Sequence, residues 1–176
     1  MDRDWDQADR LIEKMKGTED NGSFAYVTRL VPVECYSVLM SRFREERPSA
    51  AATYALARER LNLQVLKSPQ DAGLLSQLAV LDALLNNKGT AISEAERAAE
   101  MLPVSKDAQD GPPILMNLAV VYSWTNELDL AFTTLSRLTK MPNGIYYGQL
   151  KCDIYWEPLR QDPRYEKLLA KLAPRD

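Results

Sequence analysis

The 176 residues are 45% hydrophobic and include only 7 glycines, a composition that suits one helical globule with a buried core and does not suit a disordered chain. The 22 basic and 25 acidic residues are well mixed, so the net charge is −3 and no basic stripe of the kind a nucleic-acid surface needs is present. No apolar run reaches the roughly 18 residues of a membrane span, and Met1-Asp2-Arg3-Asp4 does not open a signal peptide.

Asp4 to Lys16 is a predicted amphipathic helix with Trp5, Ala8, Leu11, Ile12 and Met15 on one side. Ala8-x3-Ile12 has the look of the second helix of a repeat whose first helix is missing, so the chain is expected to be a piece of a longer protein. A polar turn follows from Gly17 to Gly22. Ser23 can cap a short helix to about Leu30, and Pro32 opens a longer one to about Arg44. Pro48-Ser49 restarts the chain as a helix to about Lys67. Its small face, Ala50, Ala51, Ala52, Ala55 and Ala57, permits close packing, and Leu56, Leu61, Leu63, Val65 and Leu66 are expected to fill the core.

After a turn at Ser68-Pro69-Gln70-Asp71, two amphipathic runs meet at the polar break Asn86-Asn87-Lys88-Gly89. The first recurs through Leu74, Leu75, Leu78, Leu81 and Leu85, the second through Ala91, Ile92, Ala95, Ala98, Ala99 and Leu102. Small residues at Ala79 and Ala91 mark where the two helices approach, and Pro103 ends the second. One such hairpin cannot bury its own apolar face, so neighbours must stack on it. A shift of 40 residues supplies one: Leu75 falls on Leu115, Leu78 on Leu118, Ala79 on Ala119, Asn86 on Asn126 and Ala91 on Ala131. Upstream, Ala57, Leu61 and Pro69 lie 34 residues before Ala91, Ala95 and Pro103, which shows half of a third copy. The loop Val104 to Gly111 carries the excess length, and Gly111-Pro112-Pro113 starts the later pair. Beyond Met141-Pro142-Asn143-Gly144 the period breaks. Ile145 to Asp162 is aromatic and irregular, and Pro163 begins a last helix through about Leu172, as expected of a segment that hides the final apolar face of a repeat array.

These spacings resemble the tetratricopeptide-repeat family, whose pattern is W-x2-L-G-x2-Y, A-x3-F and P over about 34 residues. Here the pattern reads Leu75-x2-Leu78-Ala79-x2-Asp82, Ala91-x3-Ala95 and Pro103, then Leu115-x2-Leu118-Ala119-x2-Tyr122, Ala131-x3-Leu135 and Pro142. From about Ala50 onward the chain is similar to the C-terminal repeat region of bacterial TolB-like and tetratricopeptide multidomain signalling proteins. It departs from them at Cys152, Ile154 and Tyr155. The resemblance implies an all-α, right-handed superhelix of about three hairpins: divergent N-terminal helices over 1–47, repeats over 48–142 and a capping segment over 143–176. It further implies an interaction or scaffolding module for a protein or peptide partner, serving beside a kinase, cyclase or DNA-binding domain. A purely structural cap or spacer is the alternative.

Catalysis finds little in the residues. With no histidine, His-based triads, imidazole ligands and the usual general base are missing, and no phosphate loop or dinucleotide fingerprint is present. No enzyme activity, cofactor or metal is expected. Asp153, Glu157 and Asp162 cluster, but Asp162-Pro163 reads as an N-cap and Glu157 as the partner of Arg160. Glu94, Glu96, Arg97 and Glu100 read as a solvated charge run, and Cys35 and Cys152 as two buried thiols. The expectation is a soluble chain, with the cytoplasm favoured.

By the resemblance, the first helix of each hairpin lines a concave groove, to which one helix would give Ser76, Gln77, Val80 and Leu84. The next would give Met116, Asn117, Val120, Ser123 and Trp124. No Lys or Arg lies within Asp71–Asn86 or Pro112–Thr125, so the clamp that some relatives use on a terminal carboxylate is missing from these helices. Met116, Val120 and Trp124 form an apolar stripe at i, i+4 and i+8. Either a partner segment occupies it, or the chain's own tail does, through Tyr146, Tyr147, Leu150, Trp156 and Leu159; the tail is favoured, because so large an apolar surface rarely stays bare.

Overall fold

A computed structural model describes residues 47–174 together with Asp6, Gln7, Arg10, Leu11 and Lys14. The predicted helices at 23–30 and 32–44 lie outside the described residues, as do Cys35 and four of the five apolar positions assigned to the first helix. The fifth, Leu11, is helical and exposed. Among the described residues all regular structure is helical, in the order α1 (Arg47–Lys67), α2 (Ala72–Leu84), α3 (Lys88–Met101), α4 (Gly111–Trp124), α5 (Leu128–Leu138), α6 (Tyr147–Cys152), a 3-10 helix (Ile154–Leu159) and α7 (Pro163–Leu172). Helices α2 and α3 pack as one hairpin and α4 and α5 as the next, with α4 also seated on α2 and α3, and α1 on α2. One core runs through both hairpins and the C-terminal segment.

The helix ends follow from side-chain chemistry. Asp71 caps α2, its Oδ1 accepting from the Leu74 N–H at 3.0 Å, and prolines in the first turns of α4 and α7 replace N–H groups that have no intrahelical partner. Both hairpins turn in the same way. Asn86 and Asn126 adopt left-handed φ values of 64° and 63°. The next N–H then reaches back, from Asn87 to the Asp82 carbonyl at 2.9 Å and from Glu127 to the Tyr122 carbonyl at 2.8 Å. This is the helix C-terminal closure that a left-handed residue makes possible, and asparagine tolerates that conformation better than most residues. The polar break is shorter than expected, since Lys88 and Gly89 already belong to α3. Ala79, Ala91, Ala119 and Ala131 are all fully buried, so the small residues sit in the packed interior of the hairpins.

Two expectations are corrected. Leu61 is buried and Val65 half-buried, but Leu56, Leu63 and Leu66 of α1 are exposed, because α1 meets α2 along the single face that carries Ala57 and Leu61. Cys152 is exposed and not a buried thiol; it ends the short helix α6, whose buried residue is Leu150. The aromatic tail folds into α6 and the 3-10 helix, and the latter packs on α4. Tyr155, Trp156, Leu159 and Leu150 are essentially inaccessible. The Tyr165 hydroxyl donates to the Leu150 carbonyl, tying α7 to α6.

Candidate functional site

Seven of the nine expected groove residues are buried inside the chain: Ser76, Val80, Leu84, Met116, Asn117, Val120 and Ser123. Gln77 and Trp124 are half-buried. At the C-terminal end of α4 the tail occupies the space with Trp156 and Leu159, which join the core there, and the Trp124 indole N–H donates to the Tyr155 carbonyl at 2.9 Å. Tyr146, also expected in the groove, is exposed, and Tyr147 is only half-buried. Sealing that end removes two apolar surfaces from water at once.

The other end of the same two helices stays open. Near the N-terminal ends of α2 and α4 lies a cavity of about 670 Å³, bordered by Asp71, Gly73, Ser76, Gln77, Lys106 and Asn117 among others. Ser76 spends its only proton on the Gly73 carbonyl at 2.8 Å, so its oxygen must accept, and it does so from the Asn117 amide at 2.9 Å. That chain of bonds fixes which way the Asn117 carboxamide faces. Its Oδ1 is buried and has no hydrogen-bond partner. An acceptor in that state carries an unmet desolvation cost. The Lys106 ammonium, 3.4 Å from the Met101 carbonyl, and the Asp71 carboxylate stand at the border with opposite charges.

A second polar cluster is closed. Asp82 of α2 is completely buried, and its Oδ1 accepts from Arg58 Nε at 2.7 Å and from Asn87 Nδ2 at 2.6 Å. Glu94 of α3 stands beside the Asp82 carboxylate. This corrects the expected charge run: Glu96, Arg97 and Glu100 are exposed, but Glu94 is half-buried with a buried Oε2. The signal was present in the sequence. Glu94 lies three residues after Ala91 and four before Ala98, on the apolar stripe, and Asp82 holds the place that Tyr122 fills in the second copy. By contrast, the three C-terminal carboxyls are engaged separately. Asp153 caps the 3-10 helix through the Tyr155 N–H, and burial raises its pKa; Glu157 pairs with Arg160 at 3.2 Å; Asp162 caps α7 and pairs with Arg164 at 2.7 Å.

No family matches the chain, and neither a curated protein nor a solved structure does. Among the described residues no group of three or more Cys, Asp and Glu could hold a metal ion, and no helix is long and apolar enough to cross a membrane.

Proposed function

We propose that this chain is a non-catalytic, tetratricopeptide-type interaction module, wound as a right-handed superhelix, that receives a segment of a protein partner in the cavity beside Asn117. The observation that carries this reading is the open cavity lined by Asn117, a residue whose buried Oδ1 has no hydrogen-bond partner. A backbone N–H or a carboxamide N–H would satisfy it without bringing a charge into an interior lined by Ala72 and Ile114. The 40-residue register, the paired asparagine turns and the buried alanines support the repeat assignment. Such a module would serve within a larger bacterial signalling or regulatory protein.

The alternative, a structural cap that binds nothing, draws on the sealed Trp124 end. Binding of wild type and Asn117→Leu to a synthetic library of acetylated, amidated peptides separates the two. The expected result is a set of wild-type ligands whose affinity drops about tenfold in the variant, the equivalent of one lost hydrogen bond to a buried acceptor. No ligand at all, or ligands indifferent to the substitution while the variant stays folded, would favour the cap.

A further inference from the structure

The closed cluster around Asp82 stands apart from the cavity and from the binding role proposed for it. Arg58 comes from α1, Asp82 from α2, Asn87 from the cap of α3 and Glu94 from its second turn. Both donors to Asp82, Arg58 and Asn87, bond to the same oxygen, Oδ1; Oδ2 and Glu94 Oε2 are buried with no donor. Two carboxyl groups can hydrogen-bond to each other only if one of them holds a proton. With it, the cluster is one carboxylate, one neutral acid and one guanidinium, and its charges balance. Without it, two carboxylates face each other in a covered site where Arg58 is the guanidinium bonded to Asp82, and an uncompensated charge there is expensive.

We propose that Glu94 holds a proton against the Asp82 carboxylate, and that this proton fastens the end of the molecule formed by α1, α2 and α3, which loosens when the proton leaves. Charged neighbours are accounted for on each side. Arg58 faces Glu94 from α1 and Asp82 from α2, and Arg97 stands on α3 itself. From α4, Tyr122 reaches α3 but donates its hydroxyl proton to Glu96 at 2.8 Å. Burial and then the Asp82 charge raise the Glu94 carboxyl from its ordinary 4.5 to about 7, against the opposing pull of Arg58 and Arg97. Between those two values the folded chain binds a proton that the unfolded chain has lost. Stability therefore falls as pH rises through this window and levels off above about 7. The second hairpin is an internal reference, since 40 residues on, Tyr122 and Thr134 replace Asp82 and Glu94.

Amide hydrogen exchange on the full chain at about pH 6 and about pH 8.5, corrected for intrinsic rates, tests the fastener. In wild type, protection of α1, α2 and α3 should fall about tenfold relative to α4 between the two conditions. Glu94→Gln, whose carboxamide donates to Asp82 without titrating, should abolish that difference. Carbon-13 NMR titration of the wild-type Glu94 carboxyl should give a midpoint near 7, a measurement that stands even if the variant folds poorly. A midpoint at the ordinary carboxylate value, a parallel loss of protection in α4, or an unchanged pH response in a folded Glu94→Gln variant would each overturn the proposal.

Discussion

At Gly144 the chain turns back against the end of α5. A Cβ there would lie 1.9 Å from the Leu138 carbonyl oxygen and 2.8 Å from its carbon. Backbone atoms cannot swing aside as the tip of a side chain can, so Gly144→Ala must displace the turn itself. The expected loss is roughly 1–3 kcal/mol in a urea melt. Gly89 makes the contrast: it lies in the first turn of α3 with nothing within 4 Å of an added Cβ. Gly89→Ala should be neutral or add up to about 1 kcal/mol, because glycine is the poorer helix former. Equal midpoints for the two variants would show that the turn at Gly144 yields freely. Glu94 gives the corresponding lesson about reading residues singly. Its charge suggested water, whereas its phase, on the stripe of Ala91, Ala95 and Ala98, specified the interior.

Among the elements, the two hairpins share one turn, closed by Asn86 in the first and Asn126 in the second. A left-handed φ costs an ordinary residue about 1–2 kcal/mol and glycine nothing. Asn126→Ala should therefore lower stability by about 1 kcal/mol, while Asn126→Gly should stay within about 0.5 kcal/mol of wild type. Chemical denaturation of the pair checks this, and equal losses would mean that the asparagine side chain, not the backbone angle, holds the turn. These turns were legible because asparagine recurs at a fixed distance from the packed alanines. The facing of α1 was not. Leucines at positions 56, 61, 63 and 66 surround the helix, and which of them meets α2 depends on the neighbour and not on the period. The 3-10 helix was also hidden, since Ile154 to Leu159 contains Pro158 and shows no helical periodicity of its own.

For the whole molecule, the C-terminal segment completes the core that the hairpins begin. Truncation after Pro142 would remove Leu150, Tyr155, Trp156, Leu159, Tyr165 and Leu168 from a single buried cluster and bare the flank of α4. The expected outcome is a large fall in melting temperature together with self-association in analytical ultracentrifugation. Trp156→Ala alone, at a position that is 1% exposed, should cost about 3–5 kcal/mol. A truncated chain that melts like the parent would show that the hairpins close their core unaided. The open cavity and the sealed groove were both latent in the same two helices. Sequence placed Ser76, Asn117 and Trp124 in one groove, but only packing decides which end the tail covers. That seam also has an optical consequence. Two of the chain's 3 tryptophans, Trp124 and Trp156, belong to that seam, one half-buried with its indole hydrogen-bonded and the other sealed from solvent. With Trp5→Phe silencing the third, the colour of the protein's ultraviolet emission becomes a direct gauge of whether the tail is docked, shifting to the red as the seam admits solvent.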